Sequence, residues 1–313
     1  RFRHFWGTEK REELFASLSA KKFDAQYETV APTAENRWSF RPSKVTAAYR
    51  EWPSLSNLCD IPPSLGVLDN RQEALICIDK EQLQLRASKY LDSNVPWDEL
   101  STVVPALVRN YARFNAREAR EKILKTEPFN ADNIRRVLVR PMDNRWCYYT
   151  SVRPIWTETR PLYVQQCWPG NTALVSRRTC NTSPEGPPFL FASTLGMQHA
   201  MHTDAYYVPL RLRLLPKREC AKLKSENGQI ENNVQDEMFD DEKNLANLSP
   251  AARAYLDALG LPNPDEDAET AELIWMHALA IGYAPAYLTE NADGIRQDWP
   301  RIPLPATQKA LLA

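Results

Sequence analysis

The chain has 313 residues, of which 43% are hydrophobic and 25% are charged, and its formal net charge is -1. A chain of this length and apolar content can bury a sizeable core in one or two domains, which excludes a disordered protein. No apolar run is long enough to cross a bilayer and the first residues do not resemble a signal peptide, so we expect a cytoplasmic protein without a membrane partner.

The chain carries little of the chemistry that metal and nucleotide sites need. Its four histidines place only His199 and His202 close together, whereas a metal site needs three or four convergent ligands. Neither a GxG pattern nor a GK[ST] loop is present, so nucleotide cofactors are not expected. The six cysteines include no CxxC pair, and in a chain of this size we expect them to be reduced. We therefore expect no metal and no cofactor in this chain.

Residues 1–50 are expected to form an N-terminal helix followed by an extended connector. Thr8 is a suitable N-cap, and Leu14 and Leu18 follow at helical spacing. The residues after this helix contain prolines and isolated aromatic residues, which is typical of extended chain. Because the chain starts at Arg1 rather than at methionine, we expect it to be a piece of a longer polypeptide.

Residues 51–216 are expected to form an α/β domain. A short apolar strand over residues 74–79 precedes helical patterns that extend to residue 129. From Ile134 the apolar period changes to two, and strand-length runs rich in β-branched and aromatic residues follow. These runs predict a largely antiparallel sheet, and the fold class expected for the chain is α+β.

The last third of the chain changes composition twice. Residues 217–248 are rich in charged residues and poor in apolar ones, so we expect a polar linker or insertion there. Residues 249–313 are expected to form a small helical domain, in which Ser249 is the N-cap of a helix and Gly260 lies just past its end. From residue 254 to residue 295 the chain has eight acidic residues and no Lys or Arg, so this part is expected to bind protein rather than DNA.

The stretch from Arg135 to Arg178 concentrates positive charge. Its eight arginines against two acidic residues give about +6 in a protein of net charge -1. Six aromatic residues are interleaved with the arginines, and guanidinium groups beside flat rings suit phosphates and base edges, so we expect DNA contacts here. The candidate DNA-binding residues are Arg145, Arg153, Asn171, Arg177 and Arg178, with Tyr148 and Tyr149 as packing or sugar-stacking residues.

Structural roles compete with these DNA contacts. Arg140 and Asp143 flank a turn, where such a pair can form a structural salt bridge. Adjacent strand residues face opposite sides, so Arg177 and Arg178 cannot both contact one surface, and the two adjacent tyrosines cannot both be buried in a regular strand. We expect the front of the stretch, with Arg140 and Asp143, to hold the fold and the back, from Asn171 to Arg178, to reach DNA.

Four segments of the chain resemble, in order, the C-terminal specificity region of type ISP restriction-modification enzymes and of related adenine-specific DNA methyltransferases. Residues 7–18 resemble the family's RGTxxxK segment, and residues 139–149 resemble its signature YRPFDxRxxYY. Residues 171–178 resemble its NxxLxxxR strand, and residues 272–305 resemble its C-terminal helix with the ending PRIP. The signature residues with an expected structural role are Arg140, Pro141, Asp143, Trp299, Pro300 and Arg301.

The chain departs from the family pattern at three positions. Val139 and Met142 replace the first aromatic residue and the phenylalanine of the signature, and Leu288 stands where the family has an arginine. The chain is therefore identified as a divergent member of this family.

The resemblance implies a DNA target-recognition domain that positions duplex DNA for a methyltransferase and nuclease core. That core, with S-adenosylmethionine as its cofactor, is not in this chain, so we expect no catalysis by this chain alone. The longer protein would be a site-specific adenine methyltransferase with restriction endonuclease activity. The expected partners are duplex DNA and the methyltransferase core of the same polypeptide. The residues also allow an alternative, a protein-interaction scaffold with a basic sheet face and an acidic helical face.

Overall fold

The computed structural model of the protein describes residues 1–20, 25–34, 36, 38–41, 43–71, 74–111, 113–180, 186–214 and 243–313. Within these ranges the helices are α1 Lys10–Ser19, α2 Ala47–Glu51, α3 Leu55–Leu58, α4 Lys80–Tyr90, α5 Trp97–Val103, α6 Pro105–Val108, α7 Ala116–Thr126, α8 Pro161–Gln165, α9 Pro250–Ala258, α10 Ala268–Tyr283, α11 Pro285–Glu290, α12 Ala292–Gln297 and α13 Gln308–Leu312. None of them combines the length and apolarity that crossing a membrane requires. The strands are β1 Ser64–Leu65, β2 Ile76–Cys77, β3 Ile134–Arg140, β4 Asp143–Tyr148, β5 Ala173–Ser176, β6 Phe189–Ala192, β7 Leu195–Gly196, β8 Tyr206–Pro209, β9 Arg211–Leu214 and β10 Lys243–Ala246.

The strands form two four-stranded sheets and one two-stranded ribbon. The first sheet has the order β2-β4-β3-β7, in which only the β3–β7 pair is parallel. The second sheet has the order β1-β8-β5-β6 and is antiparallel throughout. β9 and β10 form the antiparallel ribbon. The predicted α+β class with a largely antiparallel sheet is therefore confirmed.

Two glycines allow the sheets to meet. The main-chain N–H of Val67 donates to the carbonyl oxygen of Gly196 at 2.9 Å, and Gln198 donates back to Val67 at 2.8 Å. A Cβ atom on Gly66 would lie 2.5 Å from the carbonyl oxygen of Gly196, and one on Gly196 would lie 2.0 Å from the ring of Tyr207. Only residues without a side chain permit this approach, which joins the end of β1 to β7.

The larger core lies between the first sheet and helices α4 to α7. Leu83, Leu100 and Ile123 project from these helices and are fully buried against the sheet. Trp156 is also fully buried, and its indole N–H donates to the carbonyl oxygen of Tyr148 at 3.1 Å. This core fixes the first sheet against a helical layer and leaves the turn between β3 and β4 outside it.

The second core joins the C-terminal helices to the second sheet. Phe189 and Leu174 of that sheet share one buried cluster with Trp275 and Ile274 of α10. Gly282 of α10 lies directly over Phe189, since a Cβ atom there would be 2.4 Å from its ring. Although the domain boundaries stay a prediction, residues 249–313 share their core with the sheet.

The predicted caps of the first C-terminal helix are present. The Ser249 side chain accepts from the main-chain N–H of Ala252, and Pro250 occupies the first helical position. Gly260 follows the helix with a φ of 74°, a conformation that glycine adopts without strain. The sequence therefore predicted both the start and the end of this helix.

The predicted polar linker is corrected at its C-terminal end. Residues 217–242 lie outside the described residues, but residues 243–246 form β10, and Leu248 is fully buried. Asn247 is also fully buried: its amide donates to Pro209 at 2.9 Å and its side-chain oxygen accepts from Ile61 at 3.0 Å. These last residues belong to the fold because β9 and the segment near residue 60 satisfy their hydrogen bonds.

Residues 300–302 of the C-terminal signature form hydrogen bonds with residues 50–55. Leu55 donates to the carbonyl oxygen of Pro300 at 2.9 Å, and Ile302 donates to that of Pro53 at 2.9 Å. The guanidinium group of Arg301 donates to the carbonyl oxygens of Arg50, at 2.9 Å, and of Trp52. The Trp299 ring contacts that of Tyr206, with 4.8 Å between the ring centres. The structural role expected for Trp299, Pro300 and Arg301 is thus visible as a set of contacts that we call the C-terminal latch, residues 299–303.

The predicted N-terminal helix is present as α1, but none of its residues is buried. Glu9, not Thr8, occupies the N-cap position, and it makes no side-chain cap hydrogen bond. α1 buries none of its residues, and the apolar side chains of Leu14, Phe15 and Leu18 are exposed. The expected helix is therefore present, with an apolar surface that the described residues leave uncovered.

Candidate nucleic-acid interface

The front of the basic stretch forms a hairpin of β3 and β4. Arg140 pairs with Asp143 across a two-residue turn made of Pro141 and Met142. The pairing shifts by one residue between Leu138 and Arg140, which is a β-bulge. Proline suits the first position of such a turn, and the second requires the positive φ of 64° that Met142 adopts. The hairpin therefore projects a narrow turn beyond the first sheet.

The bulge brings cations and an aromatic ring together on one side of the hairpin. Arg136 lies opposite Trp146, and its guanidinium carbon is 5.0 Å from the centre of the indole ring. The ammonium group of Lys80, the first residue of α4, lies 4.8 Å from the centre of the same ring. Both cations are exposed and the ring is half-buried. This arrangement offers two positive charges held against a flat surface.

Two further polar residues lie at the turn end of the hairpin. Asn144 is exposed, and its side-chain oxygen accepts from the hydroxyl of Thr194 at 3.1 Å. Arg140 is exposed and donates to the carbonyl oxygens of Val139, at 2.8 Å, and of His199. Because Arg140 pairs with Asp143, it lies on the opposite side of the hairpin from Asn144 and Trp146. We use the name hairpin face for the end of the hairpin together with the start of α4, which is formed by Lys80, Arg136, Arg140, Asn144 and Trp146.

The ion pair expected in this hairpin has a different partner. Asp143 is bound by Arg145, whose Nη2 lies 2.9 Å from one carboxylate oxygen and whose Nε lies 3.1 Å from the other. Arg140 instead binds main-chain carbonyl groups, so the salt bridge between Arg140 and Asp143 is corrected. Two strand residues separated by one position share a face, which explains why Arg145 reaches Asp143. A DNA contact by Arg145 stays a prediction, although its guanidinium group already binds Asp143.

Two of the three candidates at the back of the basic stretch, Asn171 and Arg177, are buried, contrary to the expectation that they reach DNA. Asn171 is 6% exposed, and its amide donates to the carbonyl oxygens of Gln166 at 2.8 Å and Arg211 at 2.9 Å. Arg177 is 3% exposed and donates to the carbonyl oxygen of Gly186 at 2.6 Å. Hydrogen bonds from buried side chains to main-chain groups are a structural role, so the structure favours that role for Asn171 and Arg177. Arg178 is exposed, and at the front of the stretch Arg136 and Arg140 are exposed as well.

Tyr148 and Tyr149 are both buried, although adjacent residues of a regular strand could not both be. β4 ends at Tyr148, so Tyr149 is free to turn into the core. The Tyr148 ring stacks on Phe129 at 5.7 Å, and the Tyr149 hydroxyl donates to the carbonyl oxygen of Thr159 at 2.9 Å. Burial raises the pKa of both phenols. Of their two expected roles, packing is the one that the structure supports.

Arg153 and Arg178 remain exposed and paired. The Arg153 side chain is 54% exposed and binds Glu158 at 2.8 Å. The Arg178 side chain is 48% exposed and binds Asp298 at 3.0 Å. Exposed pairs of this kind are weak enough to exchange a carboxylate for a phosphate, so the DNA contacts of these two residues stay predictions.

A cleft of about 450 Å³ lies beside the start of α7 and is separate from the hairpin face. Arg113 and Lys122 line it together with Glu118 and Asn110, so its charge is mixed. Among the described residues no group of His, Cys, Asp and Glu side chains could hold a metal ion. The described part of the chain therefore presents a surface for a macromolecule more clearly than a site for a small ligand.

The sequence interpretation missed most of the hairpin face. Arg136 and Trp146 belong to the basic stretch, but a regular pairing of the two strands about a two-residue turn would place Arg136 opposite Cys147, so only the bulge brings it to Trp146. Lys80 is distant in the sequence, and only the packing of α4 beside β4 brings it to Trp146. No local pattern signals this contact.

The comparisons with known proteins agree with this architecture. The model of the family described as the Type ISP C-terminal specificity domain matches residues 63–312. Because the match covers most of the chain, the protein belongs to the Type ISP C-terminal specificity domain family. No curated protein matches the chain.

Three solved structures have a similar fold. The cryo-EM structure of a DrdV–DNA complex matches with a TM-score of 0.59 and 17% identity, over 97% of this chain and 28% of that chain. The ATP-dependent Type ISP restriction-modification enzyme LlaBIII bound to DNA matches with a TM-score of 0.59 and 14% identity, over 92% of this chain and 17% of that chain. A nuclease-deletion mutant of the Type ISP enzyme LlaGI in complex with a DNA substrate mimic matches with a TM-score of 0.56 and 17% identity, over 97% of this chain and 26% of that chain. The chain thus spans less than a third of each of these proteins.

Proposed function

We propose that this protein is a DNA target-recognition domain that binds duplex DNA through the hairpin face. The observation that carries the proposal is a set of three exposed cations and an exposed amide at a hairpin with a half-buried indole ring, on a member of a specificity-domain family. In an otherwise near-neutral protein, this local charge attracts a phosphate backbone.

The residue types of the hairpin face suit both kinds of DNA contact. Lys80, Arg136 and Arg140 can neutralise phosphates, which supplies affinity and makes binding depend on salt. Asn144 carries an amide that can pair with an adenine edge, and an arginine can pair with guanine through two hydrogen bonds. The hairpin is two-stranded only at its turn end, beyond the pairing with β2 and β7, and a two-stranded β-ribbon fits the width of the major groove. The hairpin is therefore a suitable element for reading a sequence.

The structural neighbours support this proposal. DrdV, LlaBIII and LlaGI were each solved with DNA or a DNA substrate mimic. Their identity to this chain is low, so they support the class of ligand and carry over no individual contact.

We further propose that the domain serves an adenine-specific methyltransferase and nuclease core with S-adenosylmethionine as its cofactor. This chain has no GxG pattern, so methyl transfer is assigned to that core and no catalytic step to this chain. The exposed apolar side chains of Phe15 and Leu18, three positions apart on α1, suit a contact with such a core, because exposed apolar patches mark protein interfaces.

The proposal is tested by titrating a random-sequence duplex with the chain at low salt and following fluorescence anisotropy. We expect binding that weakens steeply as salt rises, since released counterions drive it. The competing scaffold, with a basic sheet face and an acidic helical face, predicts no binding to duplex DNA. Absence of binding at low salt would therefore reject DNA recognition and leave the scaffold.

A further inference from the structure

The turn of the β3–β4 hairpin exposes apolar side chains at its end. Met142 is 98% exposed, the highest exposure among the large apolar residues of the described chain. Pro141 beside it is also exposed. A single exposed apolar residue is ordinary, but this one lies at the apex of a hairpin with Arg140 on one side and the Asp143–Arg145 pair on the other.

The backbone of Met142 is in an unfavourable conformation. Its φ of 64° lies in the left-handed region, where glycine or asparagine is the usual residue of such a turn. The chain therefore places a flexible apolar side chain at a position where a polar or absent side chain would fold more easily. Conformations of this kind concentrate at functional sites, which makes the position a candidate for one.

The turn is held firmly from both sides. Arg145 fixes Asp143 through two hydrogen bonds, and Arg140 binds the carbonyl oxygen of His199 on the neighbouring loop. The pairing of β3 with β7, through Val137 and Leu195, supports the hairpin from its other edge. These contacts hold the turn in place. A side chain that is inserted into a partner needs such support.

We propose that Met142, backed by Pro141, is a wedge that enters the DNA duplex and unstacks one base step. This inference rests on the proposed function and names the contact that follows from it. Methionine and proline are among the apolar residues that proteins insert between base pairs, where they replace stacking contacts and bend the duplex. Duplex DNA is the expected occupant rather than a protein, because the exposed cations Arg140, Arg136 and Lys80 lie on the same hairpin or beside it and attract a phosphate backbone.

The wedge is tested by permanganate oxidation, which attacks thymines that have lost stacking. Duplexes with a randomised central segment are bound by the full chain, separated from free duplexes and sequenced after oxidation. We expect the bound fraction to show raised thymine reactivity, by roughly threefold or more over free duplex. Met142→Asn should bring reactivity back to the level of free duplex, because asparagine accepts the positive φ but is polar. Met142→Leu should retain the wild-type reactivity.

The controls separate failure of the wedge from failure of DNA recognition. Met276→Gln changes another exposed methionine, on α10, and should leave the reactivity of bound DNA unchanged. If the wild-type chain binds duplex but Met142→Asn gives the same thymine reactivity, the wedge is wrong and DNA recognition stands. The wedge is equally wrong if duplex bound by the wild-type chain shows no raised reactivity. If the wild-type chain binds no duplex, the proposed function itself fails and the wedge fails with it.

Discussion

Arg177 and Arg178 are adjacent, yet their side chains have different environments. Arg177 is buried and binds the carbonyl oxygen of Gly186, whereas Arg178 is about half exposed and binds Asp298. The alternation of strand residues predicts opposite sides for two neighbours, but β5 ends at Ser176, so Arg177 and Arg178 follow the strand rather than lie in it. The sequence indicated different environments for the two side chains, but neither the end of the strand nor which side chain is buried.

Replacing each arginine in turn tests this difference. Arg177→Ala should lower the free energy of unfolding by about 2 to 4 kcal/mol, because it opens a cavity in place of a buried side chain and removes the hydrogen bond to the carbonyl oxygen of Gly186. Arg178→Ala should lower it by less than about 1 kcal/mol, since exposed ion pairs contribute little. Urea unfolding of both variants measures these changes. Equal losses would contradict the burial of Arg177.

The carboxyl group of Asp69 should make the free energy of unfolding decrease as the pH rises. Burial raises the pKa of its carboxyl group to about 6, although the carboxylate accepts from the main-chain N–H of Arg71 at 2.7 Å. The pKa is thus higher in the folded state than in the unfolded state, where it is about 3.9. The contribution of Asp69 to stability is therefore fully present below about pH 4 and is lost as the pH rises through about 6.

Comparison with Asp69→Asn isolates this contribution. The free energy of unfolding of the wild type minus that of the variant should fall by on the order of 1 kcal/mol between pH 4 and pH 7. The change with pH is the informative quantity, because any constant effect of the substitution on Arg71 cancels. A difference that rises with pH would show that the pKa of Asp69 is lowered instead.

At the scale of elements, the hairpin shows what local patterns can and cannot predict. The period of two, the proline and the flanking polar residues indicate two strands joined by a short turn. A regular two-residue hairpin would place Arg136 opposite the buried Cys147, but the bulge shifts it to Trp146. Bulges depend on how a strand fits its neighbours on both sides, and that information lies outside the hairpin.

The C-terminal latch is the element whose sequence signature corresponds most directly to contacts. Arg301→Ala should lower the free energy of unfolding by about 1 to 3 kcal/mol, because the carbonyl oxygens of Arg50 and Trp52 lose a charged donor. The same variant should expose residues 43–55 to proteases, since the latch fastens that segment. Lys309→Ala removes an exposed cation of the same C-terminal region and serves as the control. Unchanged stability of Arg301→Ala would show that the latch does not hold the fold.

At the scale of the whole molecule, the helical end and the sheet share a core. The sequence indicated the helices over residues 249–313 correctly, because their caps and apolar faces are local features. It did not indicate that α10 packs on Phe189, since contacts between distant segments leave no periodic signal. The same reason explains why Lys80 was not assigned to the DNA-facing surface.

The distribution of charge also belongs to this scale. The hairpin face is cationic, while residues 254–295 carry acidic residues without Lys or Arg. A phosphate backbone would be attracted to the first surface and repelled by the second, so the molecule should bind DNA in one orientation. If the charges were spread evenly over a protein of net charge -1, DNA would have no preferred orientation on its surface.

The salt dependence of duplex binding tests the hairpin face most directly. The wild-type chain is compared with Lys80→Ala/Arg136→Ala and with Lys125→Ala/Lys309→Ala, which removes the same charge from exposed positions elsewhere. Loss of two phosphate contacts should make the slope of log binding constant against log salt shallower by about 1.8 for the hairpin variant, and the control should keep the wild-type slope. Equal slopes for the wild type and the hairpin variant would contradict DNA binding through the hairpin face.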